Sequence, residues 1–263
     1  MKERIITAIV LLVIASAALS LHPITRLMLV FFVYVASNYE LLSLVPSLSK
    51  QRKIVAVAVL TTIPVSYLLF GGIGLLPSLL IVTTFLLASE VVSIESSVHE
   101  LLSAEVISIF CIAIIYTGVL GTVPVIAAYI YPSKILFWYI GIIISTDTLA
   151  YFGGQLFGGK KLAPRISPKK TVSGGVCGFF AAILFATGAG SYLLPEKSPT
   201  LLLAYGALVG ALAILGDLVE SMLKRAYGAK DTGNILPGHG GVLDRVDALI
   251  FASPVLLLLS YSA

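Results

Sequence analysis

Apolar residues run in long blocks along this chain, and short polar segments separate them. The blocks are rich in Leu, Ile, Val, Ala and Phe and show no alternation of period two. They therefore read as helices, and not as strands of a closed barrel, the other structure that satisfies its own backbone in hydrocarbon. A spanning helix takes roughly 20 residues. On that scale the pattern predicts spans near 5–21, 27–45, 54–70, 74–92, 101–120, 133–157, 171–194, 199–223 and 246–262. The stretch 121–131 is apolar but short and opens Gly-Thr-Val-Pro, so it reads as an interfacial piece. The expected fold is all-α, a polytopic transmembrane helical bundle of about nine spans forming one integral-membrane domain over 1–263. Its N-terminal spans cover about 5–120, and its site-bearing spans and loops about 133–263.

Composition removes the alternatives. Of 263 residues, 58% are hydrophobic and 11% charged, against about 45–50% and about 25% in an ordinary soluble domain. With a mean hydropathy of +1.04, the chain lacks the polar surface to cover a soluble globule. A coiled coil, a disordered chain and a nucleic-acid arm are excluded on the same grounds. Cys111 and Cys177 both sit in apolar stretches and suggest neither a disulfide framework nor a thiolate metal site.

Charge sets the expected orientation, because cytoplasmic loops carry the excess of Lys and Arg. With a cytoplasmic N-terminus, 14 of the 17 basic residues fall inside; Arg26, Lys134 and Lys197 fall outside. The net charge of +4 then reflects loops facing an anionic leaflet, with no nucleic-acid partner. The expectation is a multi-pass protein of the cell membrane with its site facing the cytoplasm. The first segment has a second reading: Lys2-Glu3-Arg4, an apolar run and Ala15-Ser16-Ala17 also fit a secretory signal with a cleavage site. The charge count works best with the segment retained as a span.

Ionisable groups in spanning helices are where chemistry is expected, since each costs roughly 2.5–3.5 kcal/mol on insertion scales. Five carboxylates qualify: Glu40, Glu90, Asp147, Asp217 and Glu220. Glu40 and Glu90 lie near the cytoplasmic ends of their spans, where snorkelling or a loop lysine would satisfy them. Asp147 sits in Ser145-Thr146-Asp147-Thr148, which interrupts an apolar run, and reads as a site residue or a hydrogen-bonded helix contact. Asp217, Glu220 and Lys224 share one helical face by their spacing. Asp244 and Asp247 repeat the i, i+3 spacing at the start of the last predicted span. Hard oxygen ligands of this kind suit Mg²⁺ or Mn²⁺. A salt-bridge network with Lys224, Arg225 and Arg245 is the structural alternative.

The loop between those helix ends mixes cations, glycines and His239, and Lys224, Arg225, Lys230 and Arg245 suit phosphate. By contrast, His22 and His99 look like ordinary interfacial histidines. A second polar cluster, Lys160 to Thr171, ends in Ser167-Pro168-Lys169-Lys170-Thr171 just before a predicted helix. It could hold phosphate at the helix N-terminus, or be only the basic flank of a span. The pairs Gly154/Gly158, Gly174/Gly178 and Gly206/Gly210 read as helix-packing faces.

The run from Ser221 to Asp247 resembles the signature of the phosphatidate cytidylyltransferases, or CDP-diacylglycerol synthases. Its fixed positions are Ser221, Lys224, Arg225, Lys230, Asp231, Gly233, Leu236, Pro237, His239, Gly240, Gly241, Asp244, Arg245 and Asp247. The resemblance extends to Asp147–Tyr151 and Ser167–Thr171. This sequence departs from the family pattern at Ser173-Gly174, where the family usually has Glu-Gly, and at Cys177-Gly178, where it has a glycine pair.

The resemblance implies transfer of CMP from CTP to phosphatidic acid in phospholipid biosynthesis, giving CDP-diacylglycerol and pyrophosphate. It implies metal binding by Asp217, Asp244 and Asp247, with Mg²⁺ expected, Mn²⁺ as a substitute and room for a second cation such as K⁺. Lys224, Arg225, Lys230, Asp231, His239 and Arg245 are the expected catalytic set. Asp147, Ser167, Lys169, Lys170, Thr171 and Ser221 are the expected substrate-binding set. The partners are CTP, phosphatidic acid and membrane lipids, and a homodimer is compatible with the reading. Two rival functions share the features: a CTP-dependent lipid kinase of the dolichol kinase type, and a cation-coupled transporter. The kinase would release CDP, and the transporter would place its carboxylates near the midplane.

Overall fold

The computed structural model of the chain describes residues 2–96, 100–236, 238 and 240–259, without the side chains of 2–9, 11, 12, 92–96 and 100–103. It is a multi-pass helical membrane protein. Among the described residues, six stretches are long and apolar enough to cross a membrane: Pro23–Ser43, Lys50–Val91, Ala104–Ile130, Ser133–Phe157, Val172–Leu193 and Pro199–Ala226. The chain forms two compact units. The first holds Met1–Tyr129 and Asp231–Asp244; the second holds Ile130–Lys230 and Arg245–Ala263.

In the first unit, α1 (Lys2–Leu21) packs along α2 (Pro23–Ser43). His22 caps α2, its Nδ1 accepting from the Ile24 N–H at 3.2 Å, and Pro23 opens the first turn. The 42-residue stretch Lys50–Val91 is about twice the length a bilayer core needs. It is divided at Gly71–Gly74 into α3 (Lys50–Leu60) and α4 (Thr62–Phe70) on one side and α5 (Leu75–Ser96) on the other. Both α3 and α4 pack against α5, so the chain doubles back there. The return falls at Gly71–Gly74, between the segments expected over 54–70 and 74–92.

Residues 121–131 correct the expectation. They are not a separate piece but continue the preceding helix. Helix α6 (Glu100–Ile112) passes into a π-helical turn, Ala113–Leu120, and on into α7 (Gly121–Ile130). Seven of the ten residues of α7 are buried, and the Thr122 hydroxyl donates to the Gly118 carbonyl at 2.6 Å. The Gly-Thr-Val-Pro opening is thus absorbed into one continuous helical stretch.

The second unit is built on α8 (Ser133–Phe157), α9 (Val172–Leu193) and α10 (Pro199–Ala226), each packed on the other two. The α8–α9 contact is close because small residues face each other. A methyl on Gly178 would lie 2.7 Å from the Thr146 carbonyl oxygen, and one on Gly174 would lie 2.5 Å from that of Ala150. Across α9 and α10, Gly206 and Gly210 meet Ala186 and Ala182 in the same way. Gly158 departs from the expected packing pair: it ends α8 with φ +58°, and nothing would crowd a side chain there. Trp138 is buried, donates to the Ala186 carbonyl at 3.0 Å, and meets Tyr205 edge to face.

Two further differences concern short elements. The polar cluster after α8 forms an antiparallel hairpin, β1 (Lys161–Ala163) with β2 (Ser167–Thr171). Positive charge along it masked the strand pattern. The span expected over 246–262 is divided at Ser253-Pro254 into α11 (Leu243–Ala252) and α12 (Pro254–Leu258), because proline cannot donate to the preceding turn. Residues 260–263 lie outside the described residues.

The α8–α9 contact makes a stability prediction. Gly178→Ala should destabilise the protein by about 1–3 kcal/mol through overpacking. Gly188→Ala, where nothing lies within 4 Å, should be neutral or stabilising by up to about 1 kcal/mol. Thermal unfolding of both variants in detergent checks the ranking.

Candidate active site

Chemistry gathers in both units. In the second, Asp217 lies on α10, where its carboxylate pairs with the Lys170 ammonium and faces the Ser221 hydroxyl at 3.4 Å. Lys170 reaches it from β2. The hairpin is held in turn by the start of α9, where Thr171 caps the helix and accepts from the Gly174 N–H at 3.1 Å. Ser173 meets Thr171 at 3.1 Å and donates to the Gly158 carbonyl, tying the end of α8 to the start of α9. The departure from the family pattern at position 173 therefore has a structural role. Cys177 fills the space over Gly153, where a methyl would fall 2.5 Å from its sulfur.

One turn beyond Asp217, Glu220 is buried and pairs with Lys224 at 2.6 Å, as the i, i+4 spacing predicts. Asp247, 8% exposed on α11, lies within electrostatic reach of Asp217, Asp147 and Lys224. Asp147 on α8 is exposed and within reach of Asp217 and Lys170. Four carboxylates, Asp147, Asp217, Glu220 and Asp247, thus share this region with two ammonium groups, Lys170 and Lys224. The carboxylates outnumber these two ammonium groups before the nearby guanidinium groups of Arg225 and Arg245 are counted. Among the described residues, no three His, Cys, Asp or Glu side chains converge as a ready metal-ligand set. The all-oxygen donors nevertheless fit a hard divalent cation.

Several other basic residues of this unit are exposed to solvent. Arg225 donates to the Ala229 carbonyl at 3.1 Å, which closes the turn after α10, and its side chain is exposed. Lys169, Lys230 and Arg245 are exposed, and Ser167 is half-buried. Lys224 and Arg225 both lie in the last turn of α10, where cations are favoured by the helix dipole.

In the first unit, the loop from Asp231 to Asp244 is folded around two carboxylates. Asp244 accepts from the Thr232 N–H at 3.0 Å and the Gly241 N–H at 2.8 Å. Leu236 and Gly240 bridge across the loop, and Asp231 is exposed beside Gly240. His239 lies outside the described residues, as does His99. The second carboxylate is Glu40 of α2, only 2% exposed. It accepts from the Val242 N–H at 2.9 Å, the Leu243 N–H at 2.8 Å and the Thr232 hydroxyl at 3.4 Å. Sequence reasoning expected snorkelling or a lysine here and missed this partnership. The available signal was the polar set Ser37, Asn38 and Glu40 inside an apolar span. Glu90 pairs with a cation, as expected, but with Arg52 in the first turn of α3 in place of a loop lysine.

A family model, described as the cytidylyltransferase family, matches residues 2–263. The chain belongs to the cytidylyltransferase family. Among its relatives, a phosphatidate cytidylyltransferase of Brucella abortus is 47% identical over 120 residues, covering 44% of this chain and 43% of that protein. One of Bacillus subtilis is 46% identical over 127 residues, covering 47% of this chain and 46% of that protein. One of Haemophilus influenzae is 39% identical over 129 residues, covering 47% and 45%. The chain thus spans less than half the length of these relatives of the cytidylyltransferase family.

The cap at the start of α9 can be tested directly. Thr171→Val keeps shape but removes the acceptor for the Gly174 N–H. It should lower stability by about 1 kcal/mol, read as a fall in the thermal midpoint in detergent.

Proposed function

We propose that this cytidylyltransferase-family protein transfers CMP from CTP to phosphatidic acid, giving CDP-diacylglycerol and pyrophosphate. The observation that carries the reading is the cluster of carboxylates around Asp217, paired with Lys170 and Lys224 in a unit that also exposes Lys169, Arg225, Lys230 and Arg245. The names of the relatives supply the substrates. In this reaction a phosphate oxygen of the lipid attacks the α-phosphorus of CTP, a new P–O bond forms, and the bond to the β-phosphate oxygen breaks. The lipid phosphate is already anionic near neutral pH, so no strong protein base is required. The task is to bring two polyanions together, which calls for positioned cations.

Lys169, Lys224, Arg225, Lys230 and Arg245 would receive phosphate oxygens, and Lys170 would hold Asp217 in place between them. Asp147, Ser167, Thr171 and Ser221 would line the substrates. Asp231 and His239 belong to the signature loop and complete the catalytic set by resemblance. Mg²⁺, with Mn²⁺ as a substitute and K⁺ as a second cation, would be held by Asp217 and Asp247, joined by Asp244 one helical turn before Asp247. When bound, such a cation offsets phosphate charge.

The orientation belongs to the same proposal: a cytoplasmic N-terminus and a site on the cytoplasmic face, where a soluble nucleotide meets a lipid headgroup. A second copy of the chain would complete a homodimer.

Purified protein incubated with cytidine-labelled CTP and phosphatidic acid should yield labelled CDP-diacylglycerol and unlabelled pyrophosphate; release of labelled CDP would instead mark a lipid kinase. Asp217→Asn and Asp247→Asn should each lower turnover by at least about 100-fold, the scale of removing one group that stabilises transition-state charge. Their thermal midpoints should stay near the parent's. Folded, fully active Asn variants with unchanged metal dependence would refute the cation assignment.

Orientation is checked by labelling. Arg165 and Lys230 are separated by the two spanning helices α9 and α10, which returns the chain to its starting side. Cysteines placed at positions 165 and 230, with Cys111 and Cys177 replaced, should react only with reagent supplied from the cytoplasmic side.

A further inference from the structure

We propose that Glu40 is the positioning residue of the signature loop, holding its two ends, Thr232–Gly233 and Gly241–Leu243, in their substrate-binding form. This rests on the functional reading above and extends it to a residue outside the signature. Glu40 stands on a helix that is itself pinned. Two residues earlier, the Asn38 amide donates to the Tyr34 carbonyl at 2.9 Å and its oxygen accepts from the Thr117 hydroxyl at 2.8 Å. That bond joins α2 to the π-helical turn, a type of turn that often marks a functional position.

From this fixed base the Glu40 carboxylate receives the Val242 and Leu243 N–H groups, one on each oxygen, and the Thr232 hydroxyl. Its partners thus lie at both ends of the loop, Thr232 at the start and Val242–Leu243 at the close. A buried carboxylate so placed crosslinks the segment without spanning it by side chain. Asp244 makes the complementary closure, binding the Thr232 and Gly241 N–H groups.

The same contacts account for two signature glycines. A methyl on Gly233 would lie 2.6 Å from a Glu40 carboxylate oxygen, and one on Gly241 would lie 2.5 Å from the other. Glycine is required at both because the loop backbone lies directly on that carboxylate. A residue whose only task was to satisfy the end of a span would not need two glycines of another segment to be bare.

The test combines hydrogen exchange with kinetics on the full-length protein in detergent. Glu40→Ala should speed amide exchange in the peptide covering 231–243 by about 10- to 100-fold, the equilibrium equivalent of losing one hydrogen bond to a charged group. The rest of α2 and α3 should exchange as in the parent. KM for CTP should rise by about tenfold on the same scale, with KM for phosphatidic acid within twofold. Glu40→Gln keeps the shape and one acceptor oxygen and should fall between Ala and the parent on both readouts. Glu90→Gln, which weakens the Arg52–Glu90 pair in the same unit, should lower the thermal midpoint and leave loop exchange and KM for CTP unchanged.

Loop exchange equal to the parent's in Glu40→Gln and Glu40→Ala would overturn the proposal, as would a loosened loop with KM for CTP within twofold. Should both variants fail to fold, Gly241→Ala, which presses a methyl on the carboxylate, is read by the same two measurements. An active parent with unaltered variants defeats the Glu40 assignment alone. A parent that turns over no CTP defeats the assignment together with the functional reading beneath it.

Discussion

A charged or hydrogen-bonding group held in an apolar surround persists only beside a partner, and the placement of such pairs organises this molecule from one end to the other. Arg26 donates to the Ala128 carbonyl, Arg52 meets Glu90, Lys224 meets Glu220, and Lys170 meets Asp217. Most of these tie together elements distant in sequence, so polar residues that would each resist insertion alone become joints of the bundle. The Asp217 region is different in kind. Its carboxylates, Asp147, Asp217, Glu220 and Asp247, outnumber the two ammonium groups paired among them.

Close helix packing is what brings those groups into reach. The carbonyls of Thr146 and Ala150 lie where side chains on Gly178 and Gly174 would have to stand. With α8 and α9 this near, Thr171 and Ser173 can bind both helix ends, and the hairpin between them is drawn across the unit. Lys170 then arrives at Asp217. Lengthening any of those small residues would move a cation of the site by pushing apart two backbones well away from it.

The signature loop follows a second logic, because its form is set by carboxylates binding main chain. Asp244 and Glu40 between them receive N–H groups from Thr232, Gly241, Val242 and Leu243. Such bonds specify a backbone path and leave Lys230, Asp231 and Arg245 exposed.

Much of this was legible in the residues themselves. Hydropathy located α8 over 133–157 and α9 within a residue of its ends, because a bilayer demands length and apolarity that few other folds require. Helical spacing placed Lys224 beside Glu220, since i, i+4 neighbours meet whatever surrounds them. The Ser221–Asp247 spacing pointed to the family that the whole-chain match confirms. What the residues alone did not reveal depended on contacts distant in the chain. The partner of Glu40 lies some two hundred residues on, and nothing local distinguishes a snorkelling glutamate from one that binds a loop. The hairpin at 161–171 hid behind its own charge, and the continuity of 104–130 behind a proline. The local pattern determined which segments are helical and which side chains meet one turn away; only the tertiary structure decided which distant group each one faces, because such a contact exists only once packing has brought both partners together.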